Sequence, residues 1–150
     1  MAITVKWVPL TLEKIVEQAG ADVNFMTGAA KLMLVTNAWV PAFDTDAFIS
    51  AVGANELATG GGYTTGGVTL TTKTITYDSA SDQVRVDFDD VTWTFTAAKT
   101  WRYGVVYIDT AGAAATDPMY AVLTWDADQT VSTAYTLVID AAGLLFIDAT

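Results

Sequence analysis

The sequence predicts a mainly β domain of the α+β kind, an antiparallel β-sandwich or jelly-roll-like fold with one helix near the N-terminus. Three observations lead there. After Gly67, apolar and polar residues alternate with a period of two, the pattern of strands with one face buried. Clusters of turn-forming residues interrupt that pattern at roughly 8–12-residue spacing, as in sandwiches and barrels. Before Gly67, the stretch Thr11 to Ala19 carries Leu12, Ile15, Val16 and Ala19 at helical spacing, with Thr11 placed to cap it and Gly20 placed to end it.

Taken in order, residues Ile3 to Val8 alternate loosely and read as a short strand or arm that Pro9 stops. The helix follows, too short to stand without packing. Lys31 to Thr36 (KLMLVT) is a nearly continuous apolar strand. Asn37 to Asp46, with Pro41 and two aspartates, is a loop, and Asp46 to Val52 allows one or two helical turns ending at Gly53. A glycine-rich run from Gly60 to Gly67 follows. Val68 to Thr76 reads as one long strand, and Asp78 to Asp82 as a turn whose side chains bond their own backbone. Gln83 to Asp89, Val91 to Phe95, Trp101 to Ile108, Met119 to Trp125, Val131 to Ile139 and Leu144 to Ile147 complete the strands, with Val84, Val86, Phe88, Val91, Trp93 and Phe95 inward. The alanine-rich stretch Ala111 to Ala115 is a loop tip. The expected organisation is an arm, residues 1–9, and a single β-sandwich domain, residues 10–150.

Composition narrows the function. The chain has 150 residues, 52% of them apolar and only 16% charged, against about 25% charged in ordinary soluble domains. Two features account for so few charges: a surface of Thr, Ser, Gly and Ala, and apolar surface covered by partners. The net charge is −10, and the seven Lys and Arg residues are scattered, so neither nucleic acid nor an anionic membrane is an expected partner. Cysteine and histidine are absent, which removes disulfides, thiolate chemistry, the usual zinc sites and His acid–base catalysis. Neither a secretory leader nor an apolar run near 18 residues is visible, so synthesis and use in a cytoplasm-derived setting, without Sec export, is expected.

The motifs that invite chemistry each have a plainer structural reading. Gly60 to Gly67 lacks the Gly-Lys-Ser/Thr ending of a phosphate loop and leads into a strand, so no helix N-terminus faces an anion. A turned loop with Tyr63 anchored against the sheet accounts for it. Asp44/Asp46, Asp87/Asp89/Asp90 and Asp126/Asp128 lack the spacing of a calcium loop and read as turn and strand-edge charges. A glycosidase needs two carboxylates facing across a cleft, and the three glutamates are Glu13, Glu17 and Glu56, two of them on the short helix. Trp93 and Trp125 alternate with polar residues and read as core or inter-subunit anchors, while Trp7 and Trp39, beside prolines, suit inter-subunit contact. No enzyme, cofactor or metal is expected.

The line Glu56-Leu57-Ala58-Thr59-Gly60-Gly61-Gly62-Tyr63-Thr64-Thr65-Gly66-Gly67-Val68 resembles a family of small tailed-bacteriophage virion proteins. Also similar are the N-terminal helix, the strand Ala30 to Thr36, the stretch Asp90-Val91-Thr92-Trp93, the strand Arg102-Tyr103-Gly104-Val105-Val106-Tyr107, and the Pro-led strand Pro118 to Trp125. The resemblance covers most of the chain from the helix onward, and Met1 to Pro9 stands outside it. It implies a structural protein of the virion, a capsid decoration (cement) protein on the capsid surface that binds and stabilises neighbouring subunits of the major capsid protein. A tail or receptor-binding β module recognising a cell-surface glycan is the alternative. The expected partners are other copies of the chain, a trimer being one such assembly, and the major capsid protein. The candidate interface residues are Ile3, Val5, Trp7, Trp39 and Tyr63. The arm has two placements, as an edge strand of its own sheet or of a neighbour's; the neighbour is favoured, because the chain already has enough strands for its own core.

Overall fold

Three strands carry near-continuous apolar runs, and such strands need cover on both faces. They form the centre of the molecule. The computed structural model describes residues 2–11, 24–141 and 143–148. The strands are β1 (Ile3–Trp7), β2 (Ala29–Val35), β3 (Val68–Thr69), β4 (Thr74–Asp78), β5 (Gln83–Asp87), β6 (Val91–Thr94), β7 (Lys99–Asp109), β8 (Met119–Val131), β9 (Ala134–Leu137) and β10 (Leu145–Asp148). The fold is mostly β, with antiparallel sheets and little helix, and is sandwich-like. A five-stranded sheet has the order β1-β8-β7-β2-β3, and two small sheets have the orders β10-β5-β4 and β6-β9.

The period of two divides the apolar residues of the large sheet between two cores. Leu32 and Leu34 of β2, Val106 and Ile108 of β7, and Leu123 and Trp125 of β8 join a cluster with Val86, Phe88, Val91, Trp93, Phe95 and Leu137 from the smaller sheets and their connections. Met33, Val35, Val105, Tyr107 and Val122, at the alternate positions, join a second cluster with Val8, Trp39 and Val52, and Met119 joins it beyond the register shift between Val106 and Tyr107. The connection between β2 and β3 therefore covers the second face, packing Trp39, Phe43, Ile49 and Val52 on it. Each fully buried aliphatic or aromatic side chain contributes about 1.5–3 kcal/mol relative to exposure. These two clusters are the main source of stability.

Several expectations need correction. The N-terminal arm, favoured for a neighbour's sheet, takes the other expected placement, as an edge strand of its own sheet. Its residues Ile3–Trp7 pair antiparallel with β8, from Ile3↔Trp125 to Trp7↔Ala121. The strand belongs to the chain's own sheet because β8 otherwise leaves an open edge beside the apolar sides of Ile3, Val5 and Trp7, which pack on the first core. The long strand Val68 to Thr76 is broken. Leu70 N–H still donates to Ala30 O at 2.9 Å, but Thr72 turns to a φ of 49° and β4 leaves for another sheet. Asp89 holds that corner by accepting the hydroxyls of Thr71 and Thr72. β8 runs past Trp125 to Val131, so Asp126 and Asp128 lie in a strand irregularity: the register slips between Trp101↔Gln129 and Tyr103↔Thr124. Chain entry into helix is seen at residues 9–11, with Pro9 at the first helical position, where its missing N–H costs nothing. The rest of the expected helix lies outside the described residues. The 46–52 region forms two short 3₁₀ turns, Ile49–Ala51 and Gly53–Asn55.

Candidate partner-binding surface

The glycine–tyrosine line is built from the backbone outward. Gly60, Gly61, Gly62, Gly66 and Gly67 all have positive φ, a region where an L side chain is strained. Two of them also have no room. A Cβ on Gly62 would lie 2.1 Å from Thr94 O, and one on Gly67 would lie 2.0 Å from Leu32 O. The loop is thus pressed between the end of β6 and the middle of β2. Tyr63, 2% exposed, fills the space beneath. Its hydroxyl accepts Leu34 N–H at 3.0 Å and donates to Glu56 Oε1 at 2.8 Å. The same carboxylate oxygen accepts Gly66 N–H at 2.6 Å, and Tyr107 O–H donates to Gly66 O at 2.8 Å.

Burial pushes the Glu56 carboxyl above its ordinary value, opposed by its bonds from Tyr63 and Gly66 and by the charge of Lys31. Desolvation, then the nearby Glu56 charge, pushes both tyrosine hydroxyls up. With its oxygen spent on two internal donors, Glu56 acts as a brace for the loop. Chemically, the cluster fastens a turn to a sheet.

The acidic groups noticed in the sequence are anchors of the same kind. Asp46 Oδ2 accepts Ala42 N–H at 2.9 Å, Asp90 Oδ1 accepts Ile139 N–H at 2.8 Å, and Asp128 Oδ2 accepts Asn37 Nδ2 at 2.7 Å. Among the described residues, no three acidic side chains are grouped so as to hold a metal ion.

The candidate interface residues separate into two sets. Trp39 is 5% exposed and meets Tyr103 edge-on at 5.6 Å, and Tyr63 is buried as described. Both belong to the interior: Tyr63 is the sheet anchor that its place in the glycine run suggests, and neither side chain offers surface for an inter-subunit contact. The proline beside Trp39 starts a connection that folds back over the second core instead of leaving the domain. Ile3, Val5 and Trp7 are half-buried at the sheet edge, and Trp7 packs on Tyr120 at 6.3 Å. The structure does not bring these five residues together on one surface.

Apolar surface open to a partner lies elsewhere. Val40, Ile75, Tyr77 and Val138 are exposed, Ile75 by 45% and Tyr77 by 63%. Ile75 and Tyr77 stand on β4, whose residues Thr74, Ile75, Thr76 and Tyr77 are all exposed. The period of two sets Thr74 and Thr76 on one face of a long strand with Val68 and Leu70; the break at Thr72 moves them to the rim. The signal available was the composition of β4, threonines alternating with Ile75 and Tyr77 just before a turn. No protein-family model, curated protein or solved structure matches the chain.

Proposed function

We propose that the chain is a structural protein of a tailed-bacteriophage virion, a capsid decoration protein that binds neighbouring subunits of the major capsid protein and other copies of itself. The observation that supports this most is that the two halves of the family resemblance meet as one unit. Tyr107, which ends the Arg-Tyr-Gly-Val-Val-Tyr strand, holds Gly66 of the glycine–tyrosine line at 2.8 Å. Tyr63 of that line holds Leu34 of the strand Ala30 to Thr36 at 3.0 Å. Residues far apart in sequence thus work together as a scaffold, which is what a shared fold requires and what a chance likeness of short words does not. The half-buried Glu56 carboxylate is a brace, and the uncharged rim at β4 offers apolar surface to a protein partner.

The mechanism is linkage. A protein that binds only the assembled shell stabilises it by the free energy of binding at every occupied joint. The test is co-sedimentation of the purified chain with empty capsids of the phage that encodes it, alongside a glycan array. Saturable binding to shells is the expected result. Binding to a glycan with no binding to shells would overturn the reading in favour of a tail or receptor-binding module.

A further inference from the structure

We propose that β4 is a self-association edge, through which two copies of the chain pair antiparallel about Thr76 and join two three-stranded sheets into one of six strands. This deepens the self-association part of the function proposed above and does not need its capsid part.

β4 ends the sheet order β10-β5-β4, so among the described residues no strand pairs with its outer edge. Natural proteins guard such edges with Lys, Pro, bulges or short strands. β4 has none of these guards. Its five residues pair with β5 without a slip, from Thr74↔Asp87 to Asp78↔Gln83. The charges at its ends are engaged within the chain. Lys73 Nζ donates to Gly28 O at 2.5 Å and lies 5.6 Å from the centre of the Phe25 ring. Asp78 is paired with Arg85 and accepts Ala80 N–H at 3.0 Å and the Ser81 hydroxyl at 2.7 Å. Tyr77 O–H donates to Asp82. What remains is an exposed, uncharged run, Thr74-Ile75-Thr76-Tyr77. In a chain of net charge −10, this is a strip where two copies can meet without setting carboxylate against carboxylate.

The strand's own sequence identifies the occupant as a second β4. In antiparallel register about Thr76, Thr76 faces Thr76, Ile75 faces Tyr77, and Thr74 faces Asp78. Threonine pairs and pairs of an aromatic with a β-branched residue are favourable cross-strand neighbours. The threonine hydroxyl also gives Asp78 a donor. The period of two sets Ile75 and Tyr77 of both copies on one face, continuing the row of their β5 partners Val86 and Val84. β6, also free of charge, differs in that Val91 and Trp93 are buried. Pairing about a two-fold axis uses the same patch on both copies, so it closes as a dimer and does not propagate into fibres.

The test is a charge exchange at Thr76, the residue that would face itself. Sedimentation velocity is run on the full chain, on Thr76→Lys, on Thr76→Glu, and on an equal mixture of the two variants. Circular dichroism and melting confirm that each is folded. The expected result is a wild-type dimer, association weakened about fivefold or more in each variant alone by like charges set opposite each other, and recovery in the mixture. A wild type that is monomeric up to about 1 mM, the weak end of specific association, overturns the proposal. So does association that neither variant changes, or a mixture that stays as weak as its components. Shell co-sedimentation of the wild type separates the two ideas: shell binding by a chain that fails the charge exchange sinks only the edge, and a passed exchange without shell binding sinks only the capsid reading.

Discussion

Tyr63 O–H donates to Glu56 Oε1 at 2.8 Å from a position that is itself 2% exposed, and the same oxygen takes Gly66 N–H. A carboxylate and a phenol, each costly to bury alone, satisfy each other under a loop of glycines. Replacing Tyr63 by Phe removes the donor to Glu56 and the acceptor for Leu34 N–H. Leaving buried polar groups unpaired costs about 1–3 kcal/mol each. We expect Tyr63→Phe to fold and to lose about 2–3 kcal/mol, read as a lower urea midpoint with an unchanged slope. An unchanged midpoint would mean that water replaces the hydroxyl.

The same pair sets a pH dependence with a definite sign. Burial holds the folded Glu56 carboxyl above its ordinary value of 4.5, so the folded chain binds that proton more tightly than the unfolded chain. Stability falls with rising pH wherever the folded state holds more protons. Glu56 therefore favours folding below pH 4.5, and this contribution is lost as the pH rises from there through the raised folded value. Glu56→Gln keeps an oxygen to accept both donors and has no such transition. In urea titrations across pH 4 to 7, we expect wild type to lose stability relative to Glu56→Gln as pH rises. All other groups cancel in that difference, and a flat difference would contradict a raised carboxyl.

Gly53 and Gly67 both have positive φ and differ in their surroundings. A Cβ on Gly53 would meet nothing within 4 Å, so Gly53→Ala is expected to cost only the left-handed backbone penalty, about 1–2 kcal/mol. A Cβ on Gly67 would lie 2.0 Å from Leu32 O, a backbone atom in the middle of the central sheet. Gly67→Ala must move the loop or the strand, and we expect a loss above about 3 kcal/mol, the upper end for a strained backbone site. Equal melting temperatures for the two variants would show that the loop is not seated on β2.

Much of the architecture was legible because one face of most strands is buried, and burial writes a period of two into the sequence. Val91 and Trp93 are buried while Thr92 and Thr94 are exposed, as their alternation requires. The misreadings arose where position in space depends on a backbone event that side-chain periodicity does not record. Val68 to Thr76 alternates throughout, yet Thr72 turns out of the strand and Asp89, from a distant segment, holds the corner. Trp39 and Trp7 looked alike beside their prolines, but one connection folds back over the second core and the other strand pairs with β8. The glycine run announced a turn. Tyr63 could be read as its anchor on the sheet, but that Tyr107 bolts the run to β7 needed the fold, because Tyr107 and Gly66 are 41 apart in sequence.

Ile3–Trp7 supplies the final prediction, because its place in the fold changes what its removal does. β1 pairs with β8 over all five of its residues, Ala2 O accepts Asp126 N–H at 3.2 Å, and Val8 N–H donates to Tyr120 O at 2.9 Å. Val8 is fully buried, and Ile3, Val5 and Trp7 pack on the first core. Complete burial of a side chain of this kind is worth about 1.5–3 kcal/mol. Even with the half-buried three discounted, removing all four takes away a large part of the 5–15 kcal/mol that holds a typical domain together. It also strips β8 to an open edge carrying Leu123 and Trp125, a template for aggregation. We therefore expect deletion of residues 2 to 8 to give an insoluble or loosely packed product, seen as aggregation in size exclusion and loss of the near-ultraviolet dichroism of Trp125 and its neighbours. A milder variant keeps the question open to measurement where the deletion yields no soluble protein. Val5→Thr keeps the strand and its backbone bonds while placing a hydroxyl against the core, and it should lower stability by about 1 kcal/mol or more. A soluble deletion with a native spectrum, and a Val5→Thr midpoint equal to wild type, would together show that β1 adds nothing to its own sheet and is free to serve a neighbour's.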